Sequence, residues 1–331
     1  MRTYNKLATI QRIHSLRPHP DAEVTRIELA KVKEWPVVVP KGQFSEGELV
    51  VFIVIDSIVP STHPDFAFME KMKYRVLSCA FKKAPSQGLV VKLSVLPPDS
   101  SFKIEEGADC TELLGVVKHE KPEPIGADII GEFPSDIIPI TDELNFLNYP
   151  EVLSEFLGKQ VYITEKADGS SCTVISGEQF MVCSRTKVQK EDTGFWKVIK
   201  SHDLHNKMRA LPDPFALQGE VVGPGVNGNR MRLTNHDFRL FNARNLATGK
   251  YLAMGELWEL ANKLNIHTVK FIDTFVFDDT WNLDRLRAMA DNVKYGNEPG
   301  EGIVIRPVIP EYSPVLGRQL SVKIINSNYK D

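Results

Sequence analysis

Residues 1–116 alternate short apolar, β-branched runs with turn signals such as Pro18-His19-Pro20-Asp21 and Pro85-Ser86-Gln87-Gly88. Runs of this length, separated by prolines and glycines, are typical of strands joined by tight loops. Several such strands in about one hundred residues favour a small closed β-barrel. The predicted strands span residues 7–13, 26–32, 35–39, 49–55, 74–79 and 89–93.

Residues 129–331 mix strands with helical stretches. Apolar residues recur at helix-like intervals over residues 192–208, 254–264 and 279–293. Strands and helices gathered around one cleft form an α+β domain. Residues 117–128 are charged, contain prolines and hold few apolar residues, as a linker does. We therefore predict a barrel domain over residues 1–116, a linker over 117–128 and a larger domain over 129–331.

Composition narrows the class of protein. The chain has 331 residues, of which 42% are apolar, enough for one ordinary core and a smaller second one. Its net charge of −3 argues against a protein that coats nucleic acid nonspecifically. Any nucleic-acid site must therefore be a local patch.

Cysteines and targeting signals exclude further classes. The four cysteines, Cys79, Cys110, Cys172 and Cys183, show no CxxC spacing and no clustered histidines. They indicate neither a zinc site nor a disulfide framework, so we expect them to be reduced. No apolar run is long enough to span a bilayer, and the N-terminus lacks the apolar region of a signal peptide. We expect a soluble intracellular protein, cytoplasmic or nuclear.

The most informative polar residues follow a predicted strand at residues 161–165. Lys166 stands at its end, and Asp168 and Gly169 form a turn behind it. A lysine that attacks a nucleotide α-phosphate must be held by packing in this way, with a small turn behind it. The same Lys-x-Asp-Gly pattern, KxDG, also fits an ordinary hairpin turn, so this motif alone does not establish a nucleotide site.

Five further segments follow in order, each within or beside a short β-branched run. They are Ser184-Arg185, Gln218-Gly219-Glu220, Phe238-Arg239-Leu240-Phe241-Asn242, Glu301-Gly302-Ile303-Val304-Ile305-Arg306 and Ser321-Val322-Lys323. In this order the motifs resemble the covalent nucleotidyltransferase superfamily of ATP-dependent polynucleotide ligases and mRNA capping enzymes. The wording Glu-Lys-x-Asp-Gly-Ser-Ser looks most like RNA ligases.

The N-terminal region carries a second resemblance. Arg-Pro-His-Pro-Asp-Ala-Glu at residues 17–23, followed by Gly-Glu-Leu-Val-Val-Phe at 47–52, resembles the OB-fold module of the Naegleria- and Deinococcus-type RNA ligases. Together the resemblances imply an N-terminal OB-fold β-barrel. They also imply a C-terminal nucleotidyltransferase domain with mixed and antiparallel sheets around an ATP cleft.

The resemblance assigns the chemistry to particular residues. It implies that Lys166 attacks ATP as a neutral amine and forms Lys166-AMP, so its pKa must be lowered by desolvation, cations or metal. Glu220 would hydrogen-bond the ribose, and Lys323 would contact the α-phosphate. Glu301 would orient a hydrated Mg²⁺ or Mn²⁺, since these ions favour oxygen ligands.

Five other residues complete the expected nucleotide site. Arg185 fits a contact to the ribose or to the 5′-phosphate of the acceptor strand, because a guanidinium forks two hydrogen bonds to phosphate. Phe241, rather than Phe238, is assigned to stacking on adenine. The remaining cofactor-binding residues are Glu165, Asp168 and Gly169.

The chain departs from the resembled pattern at two places. Many relatives carry a second lysine two residues after the position of Lys323, where this chain has Ile325. The phosphate contact then falls to Lys323, or to Arg318 or Lys330 reaching in. After residues 140–143, where relatives often have arginine, this chain has Leu144 and Asn145, which puts a nucleic-acid contact there in doubt.

DNA ligases and capping enzymes usually continue into a C-terminal OB domain with a basic motif for pyrophosphate, and we expect none here because only eight residues follow Lys323. We expect the N-terminal module to supply contacts to triphosphate or nucleic acid. The candidate residues are Lys41, Lys71, Lys73, Arg75, Lys82 and Lys83.

These features predict an ATP-dependent RNA ligase. It would join RNA 3′-OH to 5′-phosphate ends, at nicks or breaks in RNA or RNA/DNA duplexes, through Lys166-AMP and an AppN-activated 5′ end. The alternatives are a capping-type guanylyltransferase, a DNA ligase and a non-catalytic OB-fold nucleic-acid-binding protein. The sequence does not distinguish RNA repair from splicing or editing.

Overall fold

A computed structural model of the chain describes residues 6–82, 84–98, 101–119 and 128–329. The chain divides into two compact units, Met1–Glu123 and Pro124–Asp331. No helix in the described segments is both long and apolar enough to cross a membrane.

The first unit is built almost entirely from short strands. They are β1 (Ala8–Pro18), β2 (Ile27–Val32), β3 (Trp35–Pro40), β4 (Leu49–Ile53), β5 (Ser57–Ile58), β6 (Ser78–Phe81), β7 (Ala84–Gln87), β8 (Leu89–Val91) and β9 (Val117–Lys118). Two 3₁₀ helices, Pro64–Met72 and Leu93–Val95, accompany them.

Five of these strands form one antiparallel sheet in the order β3-β2-β1-β4-β8. The sheet curls nearly into a barrel, because the Val38 N–H of β3 donates to Ser86 Oγ of β7, directly before β8. Its core holds the fully buried Trp35, Phe52 and Phe66. The barrel prediction is confirmed, and five of the six predicted strands appear.

Two local predictions in this unit are wrong. Residues 74–77 do not form a strand, because Lys73 and Tyr74 have φ angles of 53° and 60° in the left-handed region. Residues 85–87 of the predicted turn are instead part of β7, which pairs with β6 as a hairpin, and Gly88 separates β7 from β8.

Strand β9 overlaps the start of the predicted linker, residues 117–128. Val117–Lys118 forms β9 and pairs with β5, so the first two linker positions belong to the sheet structure of the first unit. Residues 120–127, most of the predicted linker, lie outside the described residues.

The second unit contains sixteen strands and five α-helices among its described residues. The strands are β10 (Ile129–Glu132), β11 (Leu144–Asn145), β12 (Gln160–Glu165), β13 (Ser170–Ser176), β14 (Phe180–Cys183), β15 (Lys187–Gln189), β16 (Phe215–Val222), β17 (Asp237–Asn245), β18 (His267–Thr268), β19 (Phe271–Val276), β20 (Lys294–Tyr295), β21 (Glu298–Pro299), β22 (Gly302–Pro307), β23 (Tyr312–Ser313), β24 (Arg318–Gln319) and β25 (Val322–Ile325). The helices are α1 (Leu153–Phe156), α2 (Gly194–Ser201), α3 (Leu204–Arg209), α4 (Met254–Leu264) and α5 (Leu283–Asp291), with 3₁₀ turns at Phe146–Asn148, Pro150–Val152 and Asn227–Asn229.

Two sheets organise this unit. A seven-stranded sheet has the order β10-β15-β14-β13-β16-β17-β18, and a five-stranded sheet has the order β11-β25-β22-β12-β19. The pairs β17–β18 and β11–β25 are parallel, and the other neighbours are antiparallel. The prediction of mixed and antiparallel sheets in an α+β fold is confirmed.

Each sheet buries one face against helices. Side chains from α2, α3 and α4 pack on the seven-stranded sheet around Val221, Phe238 and Leu240. Side chains from α5 pack on the five-stranded sheet around Ile163 and Ile305. Because successive strand residues alternate in direction, the neighbours of these core residues point to the opposite faces.

The predicted helices differ from the observed ones mainly at their ends. Residues 254–264 form α4 as predicted, and Asn265 ends it with a φ of 50°. The segment 192–208 is two helices, because Asp203 between them has a φ of 51°. The segment 279–293 becomes helical only at Leu283, since the Asn282 side chain caps the helix by accepting from the Arg285 N–H.

Candidate active site

The KxDG turn joins the two sheets of the second unit. Strand β12 of the five-stranded sheet ends at Glu165, and β13 of the seven-stranded sheet begins at Ser170. Residues 166–169 therefore cross from one sheet to the other. A Cβ on Gly169 would lie 2.4 Å from the Val221 carbonyl oxygen and 2.6 Å from Glu220 Cγ. Glycine is needed at this position because β16 passes so closely.

A cavity of about 270 Å³ opens between the sheets at this crossing. Both sheets and the segment before β11 contribute to its wall. The lining residues are Thr141, Asp142, Glu143, Thr164, Glu165, Lys166, Ala167, Gly169, Ser171, Arg185, Glu220, Phe241, Val269, Val304, Arg306 and Lys323.

Strand register explains one wall of the cavity. Thr164 of β12 pairs with Val304 of β22, which pairs with Lys323 of β25. Directly opposed residues project from the same face of a sheet, so these three form one row. Val322 and Ile324 on either side of Lys323 are buried in the core below. The strand-end lysine and the β25 lysine therefore face the same space.

The seven-stranded sheet provides the other wall. Phe238 is fully buried and points toward the helices, whereas Phe241 lines the cavity. Glu220 on β16 also lines it, because its neighbour Val221 points into the core. Phe241, Val222 and Val269 make an apolar cluster with Ala167 of the turn. This wall therefore combines an apolar end with a carboxylate.

The Lys166 ammonium forms an ion pair with Glu301 at 2.5 Å between Nζ and Oε1. Burial by itself would lower the pKa of Lys166, but the carboxylates led by Glu301 and Glu220 outweigh it and raise the pKa. With the protein's own groups alone, the amine therefore keeps its proton. The lower pKa that attack requires is not supplied by these side chains.

Two carboxyl groups that line the cavity, those of Glu220 and Glu165, have raised pKa values. Burial raises the pKa of Glu220 to about 8, with Lys166 acting against the shift and Glu301 adding to it. Burial also raises the pKa of Glu165, and Lys270 and Arg239 offset this only in part. The raised pKa favours the protonated form of Glu220, which can donate a hydrogen bond as well as accept one.

A network of arginines and carboxylates closes the cavity near β11. Arg306 donates to Glu143 at 2.6 Å, and its guanidinium lies 5.6 Å from the centre of the Phe241 ring. Arg185 pairs with Asp142 at 3.3 Å. Burial would raise the pKa of Glu143, but Arg306 outweighs it and holds the pKa below its usual value. Residues distant in sequence thus fix this side of the cavity.

The Asp168 side chain is turned away from the residues that line the cavity. Its carboxylate accepts hydrogen bonds from Asn227 Nδ2 and from the Tyr329 hydroxyl, both at 3.0 Å. Arg230 lies 3.6 Å away and above the Tyr329 ring. The nucleotide contact expected for Asp168 therefore stays a prediction, and what the structure shows is an anchor for the loop before β17.

Comparisons with known proteins agree with this architecture. A family model described as RNA ligase matches residues 159–325, and an OB-fold domain model matches residues 7–93. The first match covers half of the chain and includes both walls of the cavity. The chain belongs to the RNA ligase family.

Solved structures of Naegleria gruberi RNA ligase are similar to this RNA ligase over nearly its whole length. A lysine-to-methionine variant with AMP and Mn matches at 28% identity and a TM-score of 0.83, covering 97% of both chains. The enzyme with PPi matches at 28% identity and 0.83, covering 98% and 97%. A lysine-to-alanine variant with ATP and Mn matches at 28% and 0.83, covering 97% of each chain. No curated protein sequence matches.

The comparisons confirm three of the predictions. This chain is a ligase enzyme of the RNA ligase family, its N-terminal unit is an OB-fold domain, and its C-terminal unit has the mixed-sheet fold of such enzymes.

Several cavity residues of this RNA ligase were not identified from the sequence. Thr164 has a buried Oγ1 without a hydrogen-bond partner among the described residues, and it lines the cavity. Its spacing of two from Lys166 places both on one strand face, a signal that the sequence did contain. Asp142 and Arg306 also line the cavity. Nothing local indicates that Arg306 would meet Glu143.

The structure shows where the residues at the two departures from the family pattern lie. Ile325 is two residues from Lys323 on β25, so both side chains lie on the same face of that strand. Ile325 pairs with Gly302, whose carbonyl accepts a hydrogen bond from the Lys166 N–H. Arg318 donates to the Asp142 carbonyl at 2.5 Å. Lys330 lies outside the described residues. Leu144–Asn145 forms β11, which pairs with β25.

The candidate basic residues of the OB-fold unit are mostly exposed. Lys41, Lys71, Lys73 and Lys82 are exposed, and Lys83 lies outside the described residues. Arg75 is half-buried and pairs with Asp56 at 2.5 Å. Their contacts to triphosphate or nucleic acid stay predictions.

A larger cavity of about 810 Å³ lies elsewhere in the second unit, beside Phe180, Trp196 and His205. None of the predicted site residues lines it. The smaller cavity is the candidate active site because it brings together Lys166, the carboxyl groups of Glu165 and Glu220, and Lys323. Across the described segments, no group of three or more histidine, cysteine, aspartate or glutamate side chains is placed to hold a metal ion.

Proposed function

We propose that this RNA ligase uses ATP to join RNA 3′-OH ends to 5′-phosphate ends through a Lys166-AMP intermediate. The observation that carries the proposal is the position of Lys166 at the crossing between the sheets. Glu301 is 2.5 Å from its amine, and Glu220 and Lys323 line the same cavity. The Naegleria relatives with AMP, ATP or PPi support a nucleotide in this cavity.

The reaction comprises three phosphoryl transfers. The Lys166 nitrogen attacks the α-phosphorus of ATP, a nitrogen–phosphorus bond forms, and pyrophosphate leaves as the amine loses its proton. A 5′-phosphate oxygen then attacks the same phosphorus, which breaks the bond to Lys166 and gives AppN. Finally the 3′-hydroxyl attacks the 5′-phosphorus, AMP leaves and the strand is joined. In-line attack of this kind needs positioning and charge stabilisation more than acid–base groups.

The cavity residues fit a nucleotide. The buried Thr164 hydroxyl lacks a partner among the described residues, and a buried polar atom of this kind is satisfied when a ligand supplies one. Phe241 offers an apolar face for a base, and Glu220 is placed for the ribose hydroxyls. Lys323 supplies positive charge for the α-phosphate, where charge develops during transfer.

Other residues complete the proposed site. Glu165 is a buried carboxyl group that lines the cavity, and Gly169 allows close approach of the turn to β16. Arg185 is 38% exposed at its side chain, so its guanidinium can reach the 5′-phosphate of the acceptor strand. Asp168 belongs to the proposed nucleotide site through the turn that it forms with Gly169, while its carboxylate anchors Asn227 and Tyr329.

A divalent cation, Mn²⁺ or Mg²⁺, is the expected partner of Glu301. The Naegleria complexes contain Mn, and a carboxylate oxygen is the ligand type that both ions favour. When bound, such an ion neutralises negative charge on the phosphates. While Glu301 stays paired with Lys166, the amine holds its proton, so attack requires this carboxylate to be engaged elsewhere.

The substrate is a nick or break whose 3′-OH strand is RNA, within an RNA or RNA/DNA duplex. The family assignment supports RNA as the polymer. A ligase tells RNA from DNA through the 2′-hydroxyl, so discrimination is expected at the strand that provides the 3′ end.

The test incubates wild type and Lys166→Ala with α-labelled ATP or GTP and Mn²⁺ or Mg²⁺, followed by denaturing electrophoresis. We expect label from ATP on the wild-type chain only. Lys197→Ala, an exposed lysine on α2, is the matched control and keeps the label. Discharge of the label by a 5′-phosphorylated nicked duplex with an RNA 3′-OH strand completes the test.

Three outcomes would contradict the proposal. Label from GTP alone would indicate a capping-type enzyme, and label retained by Lys166→Ala would place the nucleophile elsewhere. Equal sealing of DNA and RNA 3′-OH strands would refute the RNA assignment.

A further inference from the structure

Tyr295 lies in a short hairpin directly before Glu301, formed by β20 and β21. It is a buried residue, only 5% exposed. Its hydroxyl donates to the Lys166 carbonyl oxygen at 2.7 Å. The hydroxyl oxygen of Tyr295 in turn accepts a longer hydrogen bond, 3.5 Å, from the Glu301 N–H. One phenol therefore connects the backbones of the two residues whose side chains form the central ion pair.

The Lys166 backbone needs this support because it stands beyond the end of β12. Its N–H donates to the Gly302 carbonyl at 2.9 Å, which continues the pairing with β22. On its other side the chain leaves the sheet for the KxDG turn. The Tyr295 hydroxyl supplies the partner for the Lys166 carbonyl, so both polar groups of that backbone are held.

Tyr295 has no reagent role in this arrangement. Burial, together with the charge of Glu165, raises the pKa of Tyr295, so the hydroxyl remains a donor at working pH. Its recorded hydrogen bonds are to backbone groups, and it is not among the residues that line the cavity. It acts through Lys166 and Glu301.

We propose that Tyr295 is a positioning residue for nucleotidyl transfer, whose hydroxyl fixes the Lys166 and Glu301 backbones relative to each other. This inference rests on the proposed function, in which Lys166 forms the adduct. Attack by an amine depends steeply on placement, and a displacement of about 1 Å can cost roughly a hundredfold in rate. Nothing in the local sequence around Tyr295 marks this role.

The test is Tyr295→Phe, which removes the hydroxyl and keeps the ring. We expect the single-turnover rate of adenylylation to fall about ten- to a hundredfold, with the Kd for ATP changed less than about threefold. Tyr312→Phe, at a side chain 69% exposed, is the matched control and should match wild type. The thermal unfolding midpoint of each variant checks that it is folded.

The rate constant and the amplitude of labelling together separate positioning from a general structural effect. Loss of the hydroxyl should lower the adenylylation rate constant at saturating ATP while the labelled amplitude and the Kd for ATP stay close to wild type. A plain loss of folded protein would instead lower the amplitude and leave the rate constant unchanged.

The outcomes distinguish the inference from the proposed function. A wild-type rate constant in Tyr295→Phe, or a labelled amplitude that falls while the rate constant does not, would overturn the positioning role. Label retained by Lys166→Ala would instead overturn the proposed function. Loss of label in Lys166→Ala with a normal Tyr295→Phe would remove the inference alone.

Discussion

Replacing Glu301 with glutamine should lower the pKa of Lys166. Two unit charges 4 Å apart at an effective dielectric of about 20 interact by about 4 kcal/mol, and one pKa unit corresponds to about 1.4 kcal/mol. The pair is closer than that, at 2.5 Å, but its side chains are 23% and 17% exposed. Solvent screening and the carboxyl groups of Glu220 and Asp168 reduce the net effect. We expect a fall of about one to two pKa units.

The assay should measure the protonation of the Lys166 amine directly rather than infer it from activity, because Glu301 is also the proposed metal-binding residue. Lysines labelled with ¹³C at Cε report protonation through their NMR shifts. The signal of Lys166 is assigned as the one missing from Lys166→Ala. The titration is performed with a chelator and without nucleotide.

Glu298→Gln is the matched control for this titration. Glu298 lies in the same hairpin region, is exposed, and is 3.8 Å from Arg232 rather than near Lys166. It should leave the pKa of Lys166 unchanged. An unchanged or increased pKa in Glu301→Gln would refute the argument that this carboxylate keeps the lysine protonated.

Three further changes test other parts of the structure. Gly169→Ala places a Cβ 2.4 Å from a carbonyl oxygen of β16, so it should destabilise the fold by about 1–3 kcal/mol in urea unfolding and abolish adduct formation. The control Gly177→Ala, whose Cβ would have no contact nearer than 3.9 Å, should do neither. Equal behaviour of the two variants would contradict the close approach of β16 to Gly169. Thr164→Val removes a buried hydroxyl without a hydrogen-bond partner among the described residues, so it should raise the free energy of unfolding by about 1 kcal/mol. It should also weaken ATP binding roughly tenfold in calorimetry. Undiminished affinity would show that the hydroxyl does not reach the nucleotide. Burial would raise the pKa of Asp237, but His202 at 3.4 Å and the hydrogen bonds with His267 and Arg239 outweigh it and lower the pKa below its usual value. The ionised carboxylate therefore stabilises the fold above the usual pKa, and this stabilisation is lost as the pH falls. Asp237→Asn should cost about 2 kcal/mol near neutral pH, with the gap to wild type narrowing below about pH 4, and a gap constant with pH would refute this.

The order of motifs could be read from the sequence because each motif is local. A strand that ends in Lys166 needs only an apolar run and a turn, and the helix over Met254–Leu264 needs only its own periodicity and caps. The sequence shows a glycine at position 169 but not why a glycine is required there. It is required because β16 passes close to this position, and β16 reaches it only when the sheet forms.

Strand alternation also determined which residues share a face. The buried Val322 and Ile324 on either side of Lys323 place it on the open face of β25. The same rule applied to β12 would have identified Thr164 beside Lys166. The predicted strand over residues 74–79 failed because left-handed backbone at Lys73 and Tyr74 is not visible in a hydrophobic pattern.

Only the tertiary structure decided the electrostatics of the site. Lys166 and Glu301 are 135 residues apart, Arg306 and Glu143 are 163 apart, and Tyr295 meets the Lys166 carbonyl across 129. The direction of a pKa shift depends on which charges arrive within a few ångströms and on how much water they displace. The sequence by itself determined the chemical groups and the strands that carry them. Sheet register and the crossing of the KxDG turn determined their distances, because these depend on pairings between distant segments.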